Sequence, residues 1–167
     1  ADEESILDVI ERNVLLKNVS VVEEKLPLLE GKLNDNDMKQ YELINGVMDY
    51  WRKSYDASMF TLDKVLQYTK SANDDVYTLL AYLFKGLNYL AQDHVDRAQY
   101  YFQMIHDSVD DDSKISNANN LEVLFICKTL AESYDNLESY KRAYGFTQCG
   151  LRCAHRKNVS YFLDELN

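Results

Sequence analysis

Apolar positions recur every three or four residues along most of this chain, the spacing of helices that turn one face to a core. Ile6, Val9, Ile10 and Leu16 mark such a face between about Glu3 and Leu16. A second helix is predicted to open at Ser20, whose hydroxyl caps it while Glu23 reaches back, and Pro27 is expected to bend or split it. Asn34, Asp35, Asn36 and Asp37 form a connector with a ready N-cap, launching a third helix to about Arg52. Ser54 or Asp56 starts a fourth, ending near Lys70, and Asn73 caps a fifth that reaches Ala91, with Asp74 and Asp75 near its positive end. Asp93 is predicted to cap a sixth, running to about Val109. After the polar connector "DDDSKISNAN", Leu121 to Asp135 and Glu138 to Ala154 read as a seventh and an eighth, and a ninth begins at Ser160.

Composition agrees with an all-α chain of about nine helices. Among 167 residues there are 5 glycines and 1 proline, so tight turns are few and long helices with short connections are favoured. The length suits one domain with a sizeable core. A net charge of −10 repels phosphate backbones and anionic lipid, which argues against direct nucleic-acid binding. Runs such as Leu79 to Leu83 fall far short of the ~20 apolar residues of a bilayer span. The three cysteines, Cys127, Cys149 and Cys153, fit reduced thiols in a cytoplasm better than a disulfide framework. Ala1 in place of an initiator Met suggests a processed product or a fragment.

Self-comparison reveals a long-period repeat. In a helix-turn-helix unit counted from Leu79, Tyr82, Gly86, Tyr89, Ala98 and Phe102 take positions 4, 8, 11, 20 and 24. Counted from Leu124, Leu130, Ala131, Tyr134 and Ala143 take positions 7, 8, 11 and 20. Counted from Met38, Tyr41, Ile44 and Ala57 take 4, 7 and 20, with Asn45 and Met48 fitting less well at 8 and 11. Small residues at 8 and 20 let two antiparallel helices approach, and the aromatics fill the space around that contact. The spacing is 41 residues from Ala57 to Ala98 and 45 from Ala98 to Ala143.

These units, over about 38–71, 79–110 and 121–154, resemble the tetratricopeptide (TPR) repeat. The long, tyrosine-rich form ending in "LAESYDNLESYKRAYGF" is similar to the C-terminal sensor halves of peptide-responsive regulators of Gram-positive bacteria, the group typified by Rgg, PlcR, PrgX and Rap. The resemblance implies a right-handed solenoid of antiparallel hairpins over residues 1–167, part of a transcriptional regulator whose DNA-binding domain lies outside this chain. It further implies a homodimer that senses a short peptide.

In that family, positions 2, 5, 9, 12 and 13 of each first helix face a concave groove. Carried across, these are Lys39, Glu42, Gly46, Asp49 and Tyr50, then Leu80, Leu83, Leu87, Leu90 and Ala91, then Phe125, Lys128, Glu132, Asp135 and Asn136. The expected peptide site is Lys39, Glu42, Asp49, Tyr50, Leu83, Leu87, Lys128, Glu132, Asp135 and Asn136. At least half of the leucines of the middle stripe are expected to be buried, since exposed apolar patches of that size are rare on monomers. The same repeats also suit a constitutive protein-interaction scaffold without a small ligand.

Other candidate chemistry is weak. Cys149 and Cys153 stand four apart with His155 nearby, but a structural zinc site needs a second pair of ligands. His94, His106 and His155 are scattered, and no nucleotide-binding glycine loop or nucleophile motif is present, so neither an enzyme nor a cofactor is expected. Asp110, Asp111 and Asp112 lack the alternation and closing glutamate of a calcium loop. "KNVS" at 17–20 and 157–160 reads as a helix-start signal, and Arg152, Arg156 and Lys157 as charges at a helix C-terminus. Tyr161, Phe162, Leu163 and Leu166 are expected to bury against a further helix or a second subunit.

Overall fold

The computed structural model describes residues 5–110, 115 and 117–137. These form seven α-helices and two short 3-10 turns, with no strand among the described residues. The predicted eighth and ninth helices, Ala143, Cys149, Cys153, His155 and the Arg152, Arg156, Lys157 cluster lie outside them. The chain divides into two compact units, with the boundary between Ala72 and Asn73.

The first unit holds α1 (Ile6–Leu15), α2 (Val19–Lys25), a 3-10 turn (Leu26–Leu29), a second 3-10 turn (Asp35–Asp37), α3 (Met38–Trp51) and α4 (Tyr55–Thr69). Leu7, Ile10 and Val14 of α1, Val22 of α2, Leu43, Ile44, Val47 and Met48 of α3 and Leu62 and Val65 of α4 form its core. Pro27 acts as expected: α2 gives way to 3-10 geometry at Leu26, with the proline among the first positions of the turn. Asn34 and Asp37 cap each other, side chain to backbone, at 3.1 and 3.2 Å. Polar links tie α3 to α1. The Trp51 indole N–H donates to the Val14 carbonyl at 2.8 Å, and Gln40 donates to Asp8 and Glu11 at 2.8 and 3.1 Å.

The second unit contains α5 (Val76–Ala91), α6 (Val95–Asp110) and α7 (Asn120–Asn136). Every residue from Thr78 to Gly86 is buried, as suits a helix enclosed on more than one face. Phe84 stacks on Phe125, and Phe102 meets Tyr134 edge to face, both with centroids 5.8 Å apart. Asn117 accepts from the Val76 N–H at 2.8 Å and donates to Asp75 at 3.1 Å, which ties this asparagine to the start of α5.

Three hairpins, α1–α2, α3–α4 and α5–α6, turn in the same way. Lys17, Lys53 and Asp93 adopt left-handed backbone with φ of 62, 63 and 62°. Each donates to the carbonyl three residues back, and the next residue donates five back: Asn18 to Asn13, Ser54 to Asp49 and His94 to Tyr89. This is the Schellman arrangement, which satisfies the last carbonyls of the first helix. Its closing residue then starts the second helix, since the carbonyls of Asn18, Ser54 and His94 accept from Val22, Ser58 and Ala98.

That turn overturns several expected caps. α2 starts before Ser20 because Asn18 already takes the N-cap position, and Ser20 does not cap it. Asp93 is the left-handed residue ending α5, leaving the N-cap of α6 to His94. α5 is capped by Asp75 rather than Asn73: Asp75 is extended and its carboxylate accepts from the Tyr77 N–H at 2.9 Å.

The repeat register shifts by one residue in the first complete hairpin. Gly46, not Asn45, is the residue of closest approach, and a Cβ there would lie 2.8 Å from Leu62 Cδ2. Ser58, not Ala57, is the small partner: it is fully buried and donates to the Gly46 carbonyl at 2.7 Å, while Ala57 is exposed. Gly46, Ser58 and Leu62 therefore correspond to Gly86, Ala98 and Phe102. The period between these two hairpins is 40 residues rather than 41.

Candidate functional site

The first unit carries an open cavity of about 420 Å³ lined by Glu23, Leu26, Pro27, Glu30, Tyr41, Met48 and Arg52. Two features of the chain create it. The switch from α2 to a 3-10 turn at Leu26 redirects the backbone, so Leu26, Pro27 and Glu30 form one wall. Tyr41 and Met48 of α3 and Arg52 at its C-cap, spaced at seven and then four residues, share a face and form the other. Met48 is almost fully buried, and an Arg52 guanidinium nitrogen lies 3.1 Å from Glu23 Oε1. Both partners of that pair are about half exposed, so it contributes little stability and exchanges readily.

None of the ten residues expected from the family pattern lines this cavity. Lys39, Glu42, Asp49 and Tyr50 all lie on α3 and are half-buried. The face through Glu42 and Gly46 turns toward α4: Gly46 closes on Leu62, Glu42 senses the Lys64 ammonium, and the Tyr50 ring lies 6.1 Å from that of Tyr55. Gly46, at position 9 of the uncorrected register, is thus a packing residue. Correcting the register by one residue selects Gln40, Leu43, Val47, Tyr50 and Trp51, and that stripe is engaged with α1 through Gln40 and Trp51. Lys17 adds a cation over the Trp51 ring at 5.0 Å.

In the second unit Leu80 and Leu83 are fully buried, Leu87 and Leu90 are half-buried and Ala91 is exposed, so Leu83 presents no surface to a ligand. Phe125 is buried against Phe84. Lys128 and Glu132 pair along α7 at 3.3 Å, and Asp135 and Asn136 are exposed in its last turn. A second polar and aromatic cluster joins α5 to α6. Tyr89 stacks on Tyr101 at 5.8 Å, the Lys85 ammonium lies 5.1 Å from the Tyr101 centroid, and Arg97 lies 5.6 Å from that of Tyr89.

Burial sets the titration of the α3 face. It raises the Glu42 and Asp49 carboxyls above their ordinary range, with Lys64 and Arg52 respectively pulling the other way. The Tyr50 hydroxyl is likewise raised, by burial first and by Tyr55 second. His94 is exposed at the start of α6, and His106 is half-buried within it. Among the described residues no cluster of three His, Cys, Asp or Glu side chains is placed to hold a metal ion, and no helix is long and apolar enough to cross a membrane.

No family model, curated protein or solved structure matches the chain.

Sequence reasoning missed the cavity because its walls belong to different periodicities. Pro27 was legible as a break in α2, but its pairing with Tyr41, Met48 and Arg52 depends on how α2 returns to α3.

Proposed function

We propose that this chain is a helical-hairpin repeat module that binds a short peptide segment and serves as the regulatory part of a dimeric transcriptional regulator. The recurrence of one hairpin carries this reading: Gly46, Ser58 and Leu62 around the Lys53 turn, and Gly86, Ala98 and Phe102 around the Asp93 turn. A hairpin of this kind cannot bury its apolar faces alone, so such units stack into a solenoid whose curved surface suits extended ligands. The regulatory and DNA-linked role, in a cytoplasmic setting, follows from the resemblance to the peptide-responsive TPR regulators. Ligand control then requires unequal affinity for two arrangements of the repeats.

A second reading, a constitutive protein-interaction scaffold, is favoured by the burial of Leu80 and Leu83, which removes apolar surface from the expected groove. Thermal unfolding against a pool of short secreted peptides separates the two. A sensor shows a midpoint that rises with the logarithm of peptide concentration, because only the folded state binds. A midpoint unmoved by every peptide fraction, together with retention of a large protein partner, supports the scaffold instead.

A further inference from the structure

The groove on the first unit combines an apolar floor with an unbalanced rim. Met48, Leu26 and Pro27 supply apolar surface, Tyr41 an aromatic face, and Glu23, Glu30 and Arg52 the charges. Arg52 is engaged with Glu23 at 3.1 Å. Glu30 is exposed, and its carboxylate makes no hydrogen bond or ion pair with another described residue. The charged groups of the lining, Glu23, Glu30 and Arg52, thus sum to one negative charge, in a chain whose net charge is −10. Cations are drawn to such a site and anions repelled.

A Lys or Arg side chain fits both halves of this chemistry. Its methylene stem lies on apolar surface while its head reaches a carboxylate, and a tyrosine ring adds attraction for the cation. The cavity of about 420 Å³ has room for more than one side chain and falls within the roughly 300–1,000 Å³ of ligand pockets.

We infer that the groove between the Leu26–Leu29 turn and α3 selects a basic peptide segment, a Lys or Arg beside an apolar residue. Glu30 reads the cation, and Arg52 acts as an internal competitor for Glu23. This rests on the peptide-binding reading above and names the ligand's chemistry. The exposed Arg52–Glu23 pair is weak enough for an incoming cation to replace Arg52 on Glu23. The floor then takes the neighbouring apolar side chain.

The test uses three fluorescent hexapeptides, acetylated and amidated at their ends, with a central Leu-Lys, Leu-Gln or Leu-Glu pair. Fluorescence anisotropy is read on the whole chain and on its Glu30→Lys, Arg52→Gln and Asp96→Lys variants, each checked for helicity by circular dichroism. The Leu-Lys peptide binds tightest, ahead of Leu-Glu by roughly tenfold, and its advantage shrinks as salt rises. Glu30→Lys reverses the order. Arg52→Gln tightens the Leu-Lys peptide by roughly two- to fivefold, the scale of an exposed ion pair. Asp96→Lys, at an exposed position of α6 in the other unit, leaves the order unchanged. Binding whose order ignores Glu30→Lys, or that favours Leu-Glu in the unmutated chain, overturns the inference while peptide binding itself stands. Failure of all three peptides to bind overturns the inference and counts against the peptide-binding reading too.

Discussion

Gly46 and Gly86 occupy equivalent places in successive hairpins, yet their neighbours make them unequal. A Cβ at Gly86 would press on the Phe102 ring, with Cδ1 at 2.8 Å, and a buried aromatic ring has few ways to yield. At Gly46 the obstacle is the end of the Leu62 side chain, which has other rotamers. Alanine in a helix interior is favoured over glycine by about 1 kcal/mol, whereas overpacking costs about 1–3 kcal/mol. Gly86→Ala should therefore lose up to about 2 kcal/mol in a denaturant titration, while Gly46→Ala stays near neutral. Adding Phe102→Leu to Gly86→Ala should cost less than the sum of the two changes, the sign of a direct contact.

At the same scale, Glu42 gives a pH signature. Its carboxyl is raised from 4.5 by burial, so the folded state holds the proton more tightly than the unfolded state. Between the unfolded and folded values the native chain carries more protons, and stability falls as pH rises through that window. Glu42→Gln removes this penalty. Thermal unfolding should show the variant more stable than the parent at pH 7, with the gap closing as pH drops below 4.5. A variant less stable than the parent at pH 7, by a margin that vanishes at low pH, would mean that attraction to Lys64 outweighs the burial.

Among elements, the hairpin turn is the unit that repeats most faithfully. Lys53 holds a left-handed backbone that its Cβ disfavours, and the position after a Schellman helix end is one where glycine is preferred. Lys53→Gly should stabilise the chain by about 0.5–1 kcal/mol in chemical denaturation, and Lys53→Val should destabilise it. Helix existence was legible in the sequence from the spacing of apolar residues, as in Ile44 and Met48 of α3 or Leu79, Leu83 and Gly86 of α5. Helix starts were less so. Ser20, Asn73 and Asp93 all have side chains able to cap, and which of several nearby polar residues does so depends on where the preceding turn releases the chain. Register suffered for a related reason: Ala57 and Ser58 are both small, and only the contact with Gly46 tells them apart.

For the whole molecule, the described residues form two compact units, one containing the cavity and the other an almost wholly buried α5. The proposed basic ligand is the complement of a chain with net charge −10, so attraction over the whole surface and recognition by Glu30 act in the same direction. Of the ten residues expected to line a groove, the placements diverge: Leu83 is buried, the Glu42 face turns to α4, and Glu132, Asp135 and Asn136 of α7 are exposed. The sequence by itself determined the all-helical character of the described residues, the approximate helix spans, the small residues at Gly86 and Ala98 and the break at Pro27. Each of these depends on neighbours within a few turns, on periodicity, or on the chemistry of a single residue. Tertiary structure alone decided the register of the first hairpin, the burial of Leu83 and the meeting of Glu30 with Tyr41, Met48 and Arg52 around one cavity. Those depend on which faces of separate helices come together, and residues far apart in the chain supply them.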